Sequence, residues 1–368
     1  MRRLYRRFGA AGAVAAAFVF TRLFAIGATH LGAHFITPLK QADWVWYQGR
    51  SDLHVIPPPP ALIAPLVRWD AHYYMTIAAR GYPEPRPGWP IHQLAFFPLY
   101  PLAVRAMAPL FGGNLFWSAF AVSNLCTLLA ALLMLKLGAL RRRTDGVRAA
   151  LFFLASPGAH FFAYPYSEAL FALGLALGFV ALRDGRLALA AGAGAAASAT
   201  RSPGVAVALA LVAQSPRRLR NVAAAAGALS GVGAFMLWCH QRYGDALAFV
   251  HIQAYHKRHL ELLGAAKAFL AFDQDPDYYL IAALGLFVAA MMIRRTPLWA
   301  WLSAWFLLLL PIATGTLQAL IRYQAVNLPL ICGVPPLARR GRFRWVLLGS
   351  FVWMLFEAFL YGKGIGHN

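Results

Sequence analysis

Apolar residues in this chain gather into long runs separated by arginine-rich turns and proline-rich breaks, and a run of about 20 apolar residues is what a bilayer crossing requires. The first, Phe8 to His30, follows Arg2, Arg3, Arg6 and Arg7. A cleaved signal peptide has a shorter apolar region, so this run predicts an uncleaved first helix with a cytoplasmic N-terminus. Further runs cover Asn114 to Leu140, Val147 to Phe162, Glu168 to Leu182, Leu187 to Ser198, Pro203 to Gln214, Asn221 to His240, Tyr279 to Ile293, Pro297 to Thr314, Tyr323 to Leu337 and Phe343 to Tyr361. The expectation is an all-α polytopic membrane protein with about eleven transmembrane helices. Several runs are short, and short or Gly/Pro-broken membrane helices tend to line polar cavities. Residues 31–113 differ, with Pro57 to Pro60, the aromatics Trp44, Trp46 and Tyr47, and no clean apolar run. We expect a large first outer loop there. Its stretch Leu94 to Phe111 is apolar but carries Pro98, Pro101, Arg105 and Pro109. It is expected to lie at the interface or packed within protein, since irregular backbone at membrane depth must be covered by protein.

Composition supports the membrane reading. Of 368 residues 60% are hydrophobic and 13% charged, and 34 Lys and Arg against 13 Asp and Glu give a net charge of +21. Such basicity fits either a nucleic-acid surface or a positive-inside membrane protein, and a mean hydropathy of +0.56 favours the second. With eleven crossings and an inner N-terminus, Arg141 to Arg143, Arg183 and Arg186, Arg217 to Arg220, Arg294 and Arg295, and Arg339 to Arg344 all fall in cytoplasmic turns. The basicity then needs no nucleic acid. The outer side receives residues 31–113, Tyr164 to Glu168, Thr200 to Pro203, a second outer loop over residues 241–277, and Gly315 to Arg322. Cys126, Cys239 and Cys332 lie far apart in or beside apolar runs, so neither a disulfide framework nor a CxxC zinc site is present. No internal repeat is evident, which counts against an inverted-repeat transporter. The Ala, Gly and Arg richness resembles that of a GC-rich bacterial genome, suggesting a bacterial inner membrane.

The scarce acids can be weighed individually. Asp145 and Asp184 sit in arginine-rich turns as counterions, while Asp43, Asp52 and Glu84 have no distinctive setting. The run Asp273, Asp275, Asp277 lacks the Gly and distal Glu of a calcium loop and reads as a solvated turn before a helix. Asp70 stands out, within Arg68-Trp69-Asp70-Ala71-His72-Tyr73-Tyr74. Rings that stack on sugar faces beside one carboxylate suit a base that accepts a hydroxyl proton; an interfacial aromatic belt with an N-cap Asp explains the segment equally well. Glu168, after Tyr164, Tyr166 and Ser167, is either a carboxylate at a helix N-terminus or active-site support. Arg201 and Arg322 defy the cytoplasmic bias and so require anionic partners. A phosphate is one, bound bidentately; Glu168 or Asp70 is the other. Arg22 is expected to snorkel. His251, His256, Lys257, Arg258 and His259 face headgroups or a lipid phosphate, or are surface groups; the histidine spacing is not that of a helical metal pair. No Walker A loop, GxGxxG or GxSxG motif appears. With no nucleotide-binding domain, an activated substrate must arrive through the membrane.

These residues resemble the PIG-V-type mannosyltransferases of the GT-C membrane glycosyltransferase superfamily. The resemblance rests on Trp69, Asp70, Tyr73, Tyr74, Ile77, Ala78, Arg80, Gly81 and Tyr82, and on Ala95-Phe96-Phe97-Pro98-Leu99-Tyr100-Pro101. It continues through Ser156-Pro157, Tyr166-Ser167-Glu168, Thr200-Arg201-Ser202-Pro203-Gly204 and Arg322-Tyr323. His72 and Tyr73 stand where Gly or Ser and Trp are common in the family, and Pro203 where Asn is frequent. The resemblance implies transfer of mannose, with inversion, from a polyprenyl- or dolichyl-phosphate-mannose to a glycan or glycolipid hydroxyl on the outer face, with no metal, nucleotide or other cofactor and with a partner subunit left open. Asp70 would be the base. Trp69, Arg68, His72, Tyr73, Tyr100, Tyr166, Glu168, Arg201 and Arg322 would bind substrate. The competing class is a transporter or flippase of a glycolipid or lipid phosphate; an inactive scaffold is a weaker third. The whole chain, residues 1–368, is expected to form one membrane domain. The orientation can be checked directly: a reporter active only in the outer compartment should signal when fused after residue 60 and be silent after residue 142, and the opposite pattern would reverse the assignment.

Overall fold

A computed structural model of the chain describes residues 2–35, 59–85, 90–140, 143–214, 218–256, 258–261, 263–270, 274–338 and 340–365. Asp43, Asp52, Trp44, Trp46, Tyr47, Lys257 and Asp273, with Arg141, Arg142, Arg217 and Arg339, lie outside the described residues. Among the described residues every regular element is a helix. In chain order they include α1 (Arg2–Ala33), α2 (Asp70–Arg80), α3 (Leu99–Met107), α4 (Leu115–Leu137), α5 (Arg143–Ala155), α6 (Glu168–Arg183), α7 (Leu187–Thr200), α8 (Ala206–Gln214), α9 (Leu219–Tyr243), α10 (Pro276–Met292), α11 (Leu298–Ile312), α12 (Leu320–Ala325), α13 (Leu328–Leu337) and α14 (Arg340–Gly362), with further short helices and helical turns between some of them, Gly264–Leu270 among these.

Most apolar runs become single helices whose ends follow local chemistry. Asn114 opens α4 by accepting from the backbone nitrogens of Phe116 and Trp117 at 3.0 and 3.1 Å, satisfying donors that a helix start leaves unpaired. Two runs divide instead. Val147 to Phe162 was expected as one helix, but α5 stops at Ala155 and a tight 3-10 turn, Pro157–Ala163, follows. Proline at 157 pushes Ser156 into an extended conformation, ending the helix. The run from Tyr323 to Leu337 divides at Asn327, whose side chain accepts from Leu330 N at 3.3 Å to start α13. The reverse correction applies to Leu94 to Phe111. Pro98 and Pro101 fall at the cap and first turn of α3, where a missing N–H costs little, so the segment is helical despite its prolines.

Among the described residues four helices are long and apolar enough to cross a membrane: Gly9–Ala33, Leu115–Leu137, Leu219–Tyr243 and Gly341–Gly362. A fifth is formed if Pro157–Ala163 and Glu168–Arg183, bent by 106°, act as one broken span. The expected count of eleven is thus not met by length. The remaining apolar helices have 10–17 residues, about 15–26 Å against a hydrocarbon core of about 30 Å.

The core is built where small residues let backbones meet, as helix packing in lipid favours. Gly174 of α6 faces Ala197 of α7, Gly194 of α7 faces Ala228 of α9, and Gly362 of α14 lies on the Thr29 carbonyl of α1. Around these contacts Tyr164, Tyr166, Phe153, Phe162, Phe171 and Phe179 are fully enclosed. Arg22 does not snorkel: it is buried and donates to the carbonyls of Ala159 and Leu154 at 2.8 and 3.3 Å. It thereby fastens α1 to the carbonyls freed where the fifth helix breaks. Asp145 pairs with Arg148 at 3.8 Å and Asp184 with Arg183 at 3.1 Å, as turn counterions.

Packing this close makes a specific demand at Gly204, where a Cβ would collide with the Ala197 carbonyl carbon and the Ser198 nitrogen. Gly192 has nothing within 4 Å of the same position. We expect Gly204→Ala to lose about 1–3 kcal/mol of stability, as overpacking against backbone does, and Gly192→Ala to stay within about 1 kcal/mol of wild type. Thermal unfolding in detergent checks both.

Candidate active site

Backbone strain marks the site before any side chain is considered. Among the described residues only Trp69 and Ala319 combine a side chain with positive φ, at 46° and 64°. Each immediately precedes a short helix, α2 beginning with Asp70 and α12 carrying Arg322. Such conformations cost about 1–3 kcal/mol each and persist only where the surroundings enforce them. Around Trp69 the enforcement is visible. Tyr361 donates to the Leu66 carbonyl at 3.0 Å, Tyr166 donates to the Arg68 carbonyl at 2.8 Å, Arg68 donates to the Gly362 carbonyl at 2.8 Å, and the Trp69 ring sits edge-on to Tyr361 at 4.8 Å.

The two short helices bring opposite charges together. Arg322 donates to Asp70 Oδ2 at 2.6 Å, and its Nε lies 3.3 Å from Oε1 of Glu168. Arg201, in the extended break between α7 and the turn Ser202–Val205, donates to the same Glu168 oxygen and to Ser167 Oγ at 3.4 Å. Ser167 shares a second hydrogen bond of 2.6 Å with the Tyr74 hydroxyl. Glu168 is fully enclosed, whereas the Asp70 side chain keeps 25% of its exposure. Asp70 Oδ1 has no hydrogen bond or ion pair among the described residues. Arg201 and Arg322 thus pair with Glu168 and Asp70, the protein partners expected for them. The residue capping α2 is Trp69, with Asp70 first inside it, and Glu168 begins α6 as an ion-pair partner rather than a side-chain cap.

Asp70, Arg201 and Arg322 line a cavity of about 730 Å³. Its other walls are largely apolar, with Phe96 and Phe97 on one side, Phe171 of α6, and Phe306, Leu307 and Leu310 of α11. The remaining expected site residues stand behind it. Arg68, Trp69 and Tyr166 shape the Asp70 turn as described; Tyr73 stacks on Phe96 at 4.7 Å; Tyr100 shares a 2.9 Å hydrogen bond with Ser123. None of these is among the lining residues, nor is His72. Burial and the neighbouring Arg68 charge hold the His72 imidazole down at about 4, against a Val67 backbone hydrogen bond that raises it, so the ring is neutral near pH 7. Among the described residues no group of three His, Cys, Asp or Glu side chains could hold a metal ion. Sequence reading passed over Tyr74 and Tyr323 as site residues, yet both line the cavity. The signal was there: Tyr74 lies four residues after Asp70, on the same helix face, and Tyr323 adjoins Arg322.

An all-helical protein with apolar helices of membrane length, carrying one enclosed carboxylate, one accessible carboxylate and two arginines at an apolar cavity, is a membrane protein with an enzyme-like site. Residues 60–224 match the family model described as mannosyltransferase (PIG-V). The chain is 37% identical to GPI alpha-1,6-mannosyltransferase 2 of Rattus norvegicus over 123 residues, and to the Homo sapiens protein of that name over the same length. The Mus musculus protein gives 37% over 122 residues. Each match covers 30% of this chain and 24% of the relative, so the chain spans about a quarter of the length of the curated proteins it matches. No solved structure matches. The resemblance to the PIG-V-type mannosyltransferases is thereby shown, across the segment that carries Asp70, Glu168 and Arg201.

Removing one member of an enclosed ion pair leaves the other charge uncompensated, at about 3–5 kcal/mol. Glu168→Gln should therefore destabilise strongly, and Glu168→Gln with Arg201→Gln should be less unstable than the two single losses added together. A double-mutant cycle of unfolding in detergent measures the coupling; simple additivity would mean that the pair does not hold the site.

Proposed function

We propose that this protein is a membrane mannosyltransferase of GT-C architecture that moves a hexose from a polyprenyl- or dolichyl-phosphate-linked donor to a glycan or glycolipid hydroxyl, with inversion, on the outer face of the membrane. The observation that carries this reading is Asp70, among the described residues the one carboxylate that is both anchored by an arginine and open to the cavity. The family resemblance and the printed activity of the relatives supply the class of reaction. Arg322 occupies Oδ2 and leaves Oδ1 for an acceptor hydroxyl. In the step, the acceptor oxygen attacks the anomeric carbon as Asp70 takes its proton, and the bond from that carbon to the phosphate oxygen breaks. The lipid phosphate departs with the electron pair, and its negative charge develops beside the guanidinium groups.

An amphiphilic donor also suits the walls. Phe306, Leu307 and Leu310 offer an apolar surface to a prenyl chain, and the arginines lie at the polar end. In this reading the whole chain is one membrane domain with about eleven crossings. The short helices complete them around the cavity, and the first outer loop, bearing Asp70, faces the outer compartment.

Positioned general bases contribute about 10²–10⁴-fold to rate. Asp70→Asn should lower mannose transfer by that factor, with donor binding retained, when product formed in purified membranes from a lipid-phosphate-mannose is measured by mass spectrometry. Full transfer by Asp70→Asn would remove the base assignment. Movement of donor between leaflets with no new glycosidic bond would identify a flippase instead.

A further inference from the structure

Charge at the polar end of the cavity does not balance. Three guanidiniums surround one ring there: the Arg201, Arg258 and Arg322 Cζ atoms lie 5.3, 5.5 and 5.3 Å from the centroid of Tyr323. Two carboxylates answer them. Glu168 holds Arg201 and Arg322, and Asp70 holds Arg322. Arg258 lines the same cavity, half-buried, and donates to the Gln318 carbonyl at 2.8 Å. Among the described residues no carboxylate pairs with it. A carbonyl satisfies one of its donors without cancelling its charge, so the cluster keeps one positive charge in excess, beside apolar walls that screen it poorly.

Arg258 also differs in where it comes from. Arg258 stands in the connection between α9 and α10, outside residues 60–224, lines the cavity and lies over the Tyr323 ring. Among the described residues its guanidinium is the one of the three whose donors are not committed to an acidic partner. The Tyr323 hydroxyl accepts from Arg322 Nη2 at 3.5 Å and keeps its own O–H to donate.

We propose that Arg258 and the Tyr323 hydroxyl form an anion-receiving arm that binds the negative charge of a phosphate ester, with Arg201 and Arg322 kept by their carboxylates for holding the site's shape. This rests on the reading of the protein as a lipid-phosphate-dependent transferase, and it assigns within that site which cation meets the donor phosphate first. A guanidinium fork binds two phosphate oxygens in a way an ammonium cannot copy. Tyr323 fixes the plane of that fork by lying beneath it.

The test uses the full-length protein in detergent and two readouts. The first is protection against thermal unfolding by citronellyl phosphate, with inorganic phosphate and uncharged citronellol as companion probes. Wild type should be protected by citronellyl phosphate and not by citronellol. Arg258→Gln should need about 10–100-fold more of it for the same protection, the range expected for one charge-assisted contact; Arg258→Lys should fall between, and Tyr323→Phe should lose less than Arg258→Gln. Equal protection of wild type and Arg258→Gln would overturn the arm. If inorganic phosphate protects as well as the prenyl ester and Arg258→Gln abolishes both effects, the arm stands as a site for the free anion. The second readout is transfer, in which Arg258→Gln should raise the donor KM about 10–100-fold and leave the acceptor KM in place. Arg258→Lys, which keeps charge and length, guards against misfolding as the cause. If Asp70→Asn abolishes transfer while Arg258→Gln changes neither readout, the arm is wrong and the transferase reading stands. If wild type transfers nothing while Arg258→Gln still loses protection, the transferase reading fails and the anion site stands.

Discussion

Glu168 is the constraint on which the site depends. A fully enclosed carboxylate carries a desolvation penalty of several kcal/mol, offset only if its partners are close and fixed. Its partners are two arginines from separate parts of the chain, Arg201 at the break after α7 and Arg322 on α12. Meeting this need joins α6, the α7–α8 break and α12 at one point. Arg322, held there, then reaches Asp70 on α2. Asp70 itself is anchored at only one oxygen, and that difference in burial separates the two carboxylates into a structural counterion and a group open to chemistry.

The breaks in the helices follow from the same requirement. Polar side chains can be directed into a cavity from the middle of an apolar bundle if the helices stop there, and the stops are local: Pro157 after Ser156, Pro203 after Ser202, Asn327 before α13. Each stop frees backbone groups that lipid cannot satisfy. They are satisfied by protein: Arg22 takes the carbonyls of Leu154 and Ala159, and Asn124 and Thr127 of α4 reach the carbonyls of Ala163 and Phe162. The strained backbones at Trp69 and Ala319 belong to this logic, since both sit where the chain must turn sharply into a short helix that presents a charge.

Helix positions were legible in the sequence because partitioning into lipid is a property of composition, and most apolar runs end within a few residues of the helices they form. Length across the membrane was less legible, since hydropathy records what a segment can bury in, and neighbouring helices decide how far it extends. The division of residues 147–162 turned on the conformation that proline imposes on its predecessor, and α3 on where in the first turn its prolines fall. Among site residues, charge against the positive-inside bias located Arg201 and Arg322, and aromatic density located Asp70. The family resemblance also pointed to Arg68, Trp69, Tyr73, Tyr100 and Tyr166, which are not among the residues lining the cavity and stand behind it. A motif read as a string does not separate residues that touch a ligand from residues that shape the turn presenting them. Arg22 was misread because an arginine near a helix end snorkels unless broken neighbours offer it carbonyls, and those neighbours lie more than 130 positions away.

Where the charges come from limits how the site can be taken apart. The segment that resembles the mannosyltransferases, residues 60–224, supplies Asp70, Glu168 and Arg201. Arg322 and Tyr323 come from α12 and Arg258 from the connection before α10, all beyond it. With the matched segment alone, Glu168 would keep Arg201, but Asp70 would lose the arginine that orients it and the cavity would lose the apolar wall of α11. The carboxylates and the cations that answer them are therefore contributed by two lengths of chain that acquire a joint function only when packed. The segment holding Asp70 can keep its pattern of residues, while the apolar wall of α11 and the cations Arg258 and Arg322 come from the other length.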